Sequence, residues 1–219
     1  MKFVKPLQVR AYESLKEMIL SGAFEQKQIY SETKVSQTLG ISRTPLRDAI
    51  QRLAQEGYID VIPSKGFTLH KLTQKDVIET YEIRSAIEGY CARKLAQEYQ
   101  SAQAKELLID LRASIEKQQL IFGEGGDVVL FAEEDERFHH LLVSHSGNEV
   151  FTEIFEQYMY KIKKLACFSL SKEGRMEQTL SEHRQIVQAI CGGNWQTAYD
   201  AMLQHMDAPL DFNLESIYG

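Results

Sequence analysis

Apolar residues recur at helical spacing through most of the 219-residue chain, and one pair of short β-type segments near residue 60 interrupts that pattern. No convincing strand follows that pair. Together these observations predict a mainly α protein, an N-terminal winged helix–turn–helix (residues 1–72) followed by an antiparallel all-helical bundle of about six helices (residues 73–219).

The first helix rests on Leu7, Ala11, Leu15, Met18 and Ile19, with Gly22 as its stop. A second, short helix fits Glu32 to Leu39, with Ser31 as its cap and Val35 and Leu39 facing inward. Gly40 suits the turn that follows, because glycine tolerates positive φ. A third helix starts at Ser42, whose hydroxyl can accept from first-turn amides. Pro45 is tolerated there, since those amides lack partners within the helix. Leu46, Ala49, Ile50 and Leu53 form its buried stripe, and Gly57 ends it. Tyr58–Ile62 and Phe67–Leu69 then read as two strands joined through Pro63-Ser-Lys-Gly66.

Thr73-Gln-Lys-Asp76 resembles a capping box with Asp in the place of Glu. Beyond it, helical stretches run over roughly 74–99, 101–121, 127–145, 148–170, 176–191 and 194–207, separated by short breaks that are mostly glycine. A bundle is the natural packing for such a pattern.

With 43% hydrophobic residues the chain can bury a real core. No apolar run approaches the roughly 18 residues needed to span a membrane, and the N-terminus has no secretory pattern. Cys91, Cys167 and Cys191 are widely spaced in apolar helical contexts, as expected of reduced, buried thiols in a cytoplasmic protein. The net charge of −6 is unevenly spread: residues 1–75 hold 12 Lys/Arg against 7 Asp/Glu, and the remainder hold 13 against 24. A basic first third joined to an acidic remainder suggests a polyanion-binding module attached to a domain with another task.

With Leu46, Ile50 and Leu53 turned inward, Arg43, Thr44, Arg47 and Gln51 project from the opposite side of the third helix. The N-terminal end of such a helix lies in the DNA major groove, and the arginine fork can donate two hydrogen bonds to a guanine edge or a phosphate. Lys65 stands at the wing tip, and Gly66 allows close backbone approach. The alternative is a solvated face with Arg47 tied to nearby acids. The segment SETKVSQTLGISRTPLRDAIQRLAQEGYIDVIPSKGF resembles the winged helix–turn–helix of GntR-type bacterial transcription regulators, with SRTPLRDAI as its most specific piece. The resemblance implies operator contacts from Ser42, Arg43, Thr44 and Arg47, and a wing tip at Lys65-Gly66. This chain carries Glu25-Gln-Lys-Gln where members often have Pro-Gly, and Thr33 where some have arginine, with Lys34 beside it as a substitute.

In the acidic part, Asp135 and His139 are four apart and share one helix face, while His183 and His205 lie in two further amphipathic helices. Three imidazoles and a carboxylate suit a divalent transition metal such as zinc, nickel or manganese. Taken singly, each histidine is more often an ordinary core or surface residue, as His70, His140 and His145 are taken to be. Residues 74 to about 207 resemble the all-helical FCD effector domain of the FadR subfamily, whose metal-binding members show D-x-x-x-H, H-x-x-I-x-x-A-I and a late His. Here these are Asp135…His139, His183…Ile190 and His205, and the resemblance implies that all four bind metal. Six helices resemble the shorter VanR-like branch. Arg84, in YEIRSAIEG, matches a family arginine near the effector cavity; the competing role is an ion pair with Glu88, four residues on.

The leading expectation is therefore a homodimeric, metal-containing regulator that binds double-stranded operator DNA and responds to a small organic-acid effector. A metal-dependent hydrolase or lyase is the competing class. Glu134 and Glu136 flank Asp135 but should point elsewhere, which leaves that alternative without an obvious general base. A third reading keeps DNA binding and makes the metal purely structural.

Overall fold

The structure is a computed structural model that describes residues 6–218. It divides into two compact units between Leu72 and Thr73. The first contains α1 (Leu7–Leu20), α2 (Glu32–Leu39), α3 (Arg43–Gln55), β1 (Ile59–Ile62) and β2 (Gly66–Leu69). The second contains α4 (Gln74–Gln97), α5 (Ala102–Gly123), α6 (Val128–His145), α7 (Glu149–Leu170), α8 (Arg175–Cys191) and α9 (Trp195–Tyr218).

In the first unit α1 lies against α3, and Leu15, Leu46, Ile50, Leu53, Tyr58 and Phe67 are buried between the helices and the wing. Each large aliphatic so buried contributes about 1.5–3 kcal/mol. Gly40 closes α2 with φ 62, the left-handed conformation expected of it. Two expectations about caps fail. Ser31 and Ser42 occupy N-cap positions with extended backbone, yet neither side chain makes a cap hydrogen bond. Lys27, in the loop after α1, takes φ 66, a conformation glycine adopts without strain.

The wing is a two-stranded antiparallel ribbon with Ile59 opposite Leu69 and Ile62 opposite Gly66. Tyr30 adds an isolated bridge to Phe67, donating from its amide at 2.7 Å and accepting at 3.1 Å. The rings of Phe24, Tyr30 and Phe67 pack beneath it. Gly66 is needed for this arrangement. Its φ is 131, and a Cβ there would stand 2.0 Å from the Tyr30 carbonyl oxygen.

In the second unit α4 packs along α9 and also touches α6, α7 and α8. Thr73 and Asp76 make the expected reciprocal capping box at its start. Ile87, Cys91, Val143, Phe155 and Ile162 form one apolar cluster. The last helix is longer than the sequence suggests, since it continues past 207 and through Pro209. Proline removes one backbone donor and disfavours helix interiors. One turn further on, the Asn213 side chain donates to the Pro209 carbonyl at 2.7 Å and reaches the Leu165 carbonyl and the Tyr81 hydroxyl, each at 3.2 Å, which ties this stretch of α9 to α7 and α4. The three cysteines are free thiols, but only Cys91 is buried as expected; Cys167 and Cys191 are half-buried.

Gly66→Ala is expected to destabilise the first unit by about 2–4 kcal/mol. Gly40→Ala, strained at φ 62 but facing open space, should cost only about 1–2 kcal/mol. Urea unfolding followed by circular dichroism measures both, and equal costs would contradict the role given to the Tyr30 carbonyl.

Candidate metal centre and nucleic-acid interface

The sequence-picked residues of the first unit gather in part. A cleft of about 240 Å³ is lined by Ser31, Glu32, Thr33, Arg43, Arg47 and the wing turn from Val61 to Gly66. Arg43, Arg47 and Lys65 therefore share one concave surface, whereas Lys34, Ser42 and Thr44 are exposed but do not line it. Arg47 is not a lone cation, because its Nε donates to Glu32 Oε2 at 2.7 Å. That hydrogen bond and the Glu32 charge raise its pKa. The acid that pairs with Arg47 comes from α2, not from a neighbour on α3 as the sequence suggests. Arg43, Lys34 and Lys65 carry no ion pair among the described residues. Gly66 is buried against Tyr30, so its backbone serves the wing itself.

In the second unit, Asp135, His139, His183 and His205 are all buried, and one ligand atom from each lies within 4.8 Å of the others. Asp135 and His139 sit one turn apart on α6, whose start is held by Asp127 accepting from the Val129 and Leu130 amides. His183 comes from α8 and His205 from α9. His205 Nε2 lies 3.1 Å from His139 Nε2 and 3.3 Å from His183 Nε2. Asp135 Oδ1 is 3.5 Å from His183 Nε2 and 3.9 Å from His139 Nε2. The Phe138 ring stacks on His183, with centroids 4.0 Å apart, and closes its apolar side.

The far nitrogen of each ring is occupied. His139 Nδ1 contacts Glu88 Oε2. His183 Nδ1 faces Gln118 Oε1 at 2.9 Å, and His205 Nδ1 faces Glu182 Oε2 at 2.6 Å. Acceptors at all three Nδ1 atoms favour protons there, which leaves the three Nε2 lone pairs facing one another. Lone pairs at 3.1–3.3 Å repel unless a proton or a cation lies among them. Burial pushes the His183 pKa well below 6.5, and the neighbouring imidazoles add to this. Burial likewise lowers His205, against the opposing pull of Glu182. Protons are thus disfavoured on His183 and His205, and the donor set fits a divalent cation.

Two arginines back this arrangement. Arg84 Nε donates to Glu88 Oε1 at 2.7 Å. Arg175 donates through both terminal nitrogens to Glu182, at 2.9 and 2.8 Å. Burial alone would raise Glu88, but Arg84 and His139 hold it down at about 2. Glu182 is lowered against its burial by His205 and Arg175. The Arg84–Glu88 pair weighed from the four-residue spacing is present, and Glu88 also orients a candidate ligand. Gln118, Glu182 and Arg175 escaped sequence reasoning. The only available signal was the adjacency of Glu182 to His183, which says nothing about which way either side chain faces. Glu134, the neighbour considered as a general base, pairs with Lys117 and Arg137 instead. A wider groove of about 720 Å³ between α5 and α8, lined by Arg112, Ile115, Val187 and Cys191 among others, includes none of the clustered ligands.

A winged helix–turn–helix with a cationic cleft, joined to a helical bundle holding a buried cluster of candidate metal ligands, is the makeup of a two-domain transcription regulator. Residues 7–69 match the family described as bacterial regulatory proteins, gntR family, and residues 79–208 match the FCD domain. The chain belongs to the GntR family of regulators and carries an FCD domain. YdhC of Bacillus subtilis (strain 168), an HTH-type transcriptional regulator, is 29% identical over 202 residues, covering 92% of this chain and 88% of that protein. The structure of McbR/YncC from E. coli superposes with a TM-score of 0.76 at 19% identity, covering 99% of this chain and all of that one. The FCD domain of the regulator TM0439 has been solved metal-free and Zn2+-bound, with TM-scores of 0.55 and 0.52 at 20% identity over 68% of this chain and 98% of that one. These relatives are regulators rather than enzymes, and no described helix is long and apolar enough to cross a membrane.

The buried groups give the metal-free protein a definite acid response. Below 6.5 the unfolded chain protonates imidazoles that the fold keeps neutral at His183 and His205. Below 4.5 it also protonates carboxylates that the fold keeps ionised at Glu88 and Glu182. In each case the unfolded state binds more protons, so stability falls as pH falls. Urea midpoints of metal-free protein should decline steadily from pH about 7 to about 4; a level profile above pH about 5 would contradict the neutral imidazoles.

Proposed function

We propose that this protein is a homodimeric, cytoplasmic transcription regulator whose operator affinity is set by a small carboxylate-type metabolite bound at a divalent metal in the FCD domain. One observation carries the reading: three histidines with their Nδ1 atoms on acceptors aim their Nε2 atoms at one another beside Asp135. His139, His183, His205 and Asp135 Oδ1 would hold the ion. The Zn2+-bound FCD domain of TM0439 supports a metal of this kind, with zinc, nickel or manganese all compatible with the donors. Six helices in the second unit favour the VanR-like branch of the FadR subfamily.

Four protein ligands leave one or two positions open on a five- or six-coordinate ion. A carboxylate of the effector would complete that shell, with Arg84 as a charge partner at its edge. The effector changes DNA binding only in so far as it favours one arrangement of the protein over another, and a tenfold change in occupancy needs about 1.4 kcal/mol of difference. In the first unit, Arg43, Thr44 and Arg47 would read the major groove after Ser42, with Lys34 and the Lys65-Gly66 wing tip at the backbone. Two-fold DNA half-sites about one helical turn apart, or a multiple of it, suit a dimer of this motif.

Elemental analysis tests the metal. About one transition metal per chain in the wild type, lost in His183→Ala, is expected. No metal in protein prepared without chelator, and none on reconstitution, would reject the site. Operator affinity, measured on DNA selected from a random pool, should fall tenfold or more in Arg43→Ala/Arg47→Ala, since each arginine contact is worth about 1–3 kcal/mol. Unchanged affinity would reject the recognition face. Metal-loaded protein whose DNA affinity ignores every small acid tried would make the ion structural.

A further inference from the structure

Arg175, Thr179 and His183 stand at four-residue intervals on α8 and so share one face of that helix. All three are buried, at 2%, 1% and 0% relative exposure. His183 is accounted for by the ligand cluster, but the other two are not fully satisfied. Arg175 uses both terminal nitrogens on Glu182, while its Nε has no hydrogen-bond partner among the described residues, and neither does Thr179 Oγ1. Across from them on α4, Arg84 uses Nε on Glu88 and leaves Nη2 without a partner. Each such buried group is costly, by about 1–3 kcal/mol when nothing answers it, and native interiors hold few of them. The charges of Arg84 and Arg175 both act on His183 and on the buried Tyr81 hydroxyl. The two arginines therefore border the same buried region as the ligand cluster, and Thr179 lies between Arg175 and His183 on the shared face of α8.

We infer that Thr179 and Arg175 are specificity-determining residues. They form a second pole of the effector site and select acids bearing an oxygen on the carbons beyond the carboxylate over acids with a bare alkyl chain. This rests on the effector reading above. A ligand hydroxyl can accept from Arg175 Nε and donate to Thr179 Oγ1, satisfying both groups at once. A methylene at that point would leave both unanswered. Sites built to hydrogen-bond a ligand hydroxyl reject the analogue that lacks it far more strongly than apolar pockets reject an added methylene. The spacing sets the reach: Thr179 lies about one turn of α8 from His183, about 6 Å along the axis. The recognised oxygen then belongs two or three bonds beyond the metal-bound carboxylate, rather than beside it.

The test is titration calorimetry on Zn2+-loaded full-length protein with matched acids, butyrate against 3-hydroxybutyrate and 4-hydroxybutyrate, and hexanoate against gluconate. In the wild type at least one hydroxylated acid is expected to bind tenfold or more tightly than its bare partner. Thr179→Val, which keeps the shape and removes the hydroxyl, should bring that acid down to its partner's level while zinc content stays at the wild-type value. Thr179→Ser should restore the preference, and Thr179→Ala provides a second hydroxyl-free variant should the valine protein fold poorly. Equal binding within both pairs in the wild type, or a preference that survives loss of the hydroxyl, would overturn the role of Thr179 and leave the effector reading intact. Failure of every acid to bind zinc-loaded protein would remove the effector reading itself, and this second pole with it.

Discussion

Three imidazole nitrogens aimed at one another inside a buried interior form the constraint on which the second unit depends. The arrangement cannot be relieved by rotating one ring, because each ring is fixed from behind: His139 by Glu88, His183 by Gln118 and Phe138, His205 by Glu182. The acceptors are fixed in turn, two of them by buried arginines and the third by the bond from Gln118 Nε2 to the Glu134 carbonyl. Backing of this kind orients ligating histidines and raises their basicity. It also explains the topology, since α4, α5, α6, α8 and α9 must all approach one point, each contributing a ligand or the group that holds one.

The charges follow the same logic. A carboxylate buried without a partner would neutralise itself, but Glu88 and Glu182 each sit between an arginine and an imidazole, so burial is outweighed and both stay ionised. Removing one member of such a chain strands the next, which is why a buried pair is far more costly to break than its net worth suggests. The neutral Gln118 serves the third histidine, and the site avoids a third buried carboxylate at the back of its rings.

Much of this architecture was legible in sequence. The helix bounds at Glu32–Leu39, the glycine turn at Gly40 and the capping box at Thr73 follow from local chemistry, and local chemistry is what a sequence displays directly. The four candidate ligands were legible through their pattern and resemblance, although spacing alone could not bring three helices together. What escaped was set by packing across the bundle. Ser31 and Ser42 have the residue type and backbone of caps without the bond. The pattern in sequence ends the last helix near 207, but packing against α4 carries α9 on through Pro209. Gln118 and Glu182 orient histidines 65 and 23 residues away in sequence, and no periodicity reports that.

The Arg47–Glu32 pair has a consequence for how the first unit meets anions of any kind. Since Arg47 already holds a carboxylate at 2.7 Å, its capture by another anion is an exchange, in which the newcomer must do better than a tethered competitor. A single diffuse phosphate gains little from such a swap in water. An anion array that meets Arg43 and Lys65 in the same cleft at the same moment gains two further contacts to set against the one that Glu32 makes. The tethered acid thus works as a threshold: it discounts isolated encounters and rewards simultaneous ones, so that selectivity arises from the number of contacts made together as well as from the strength of each.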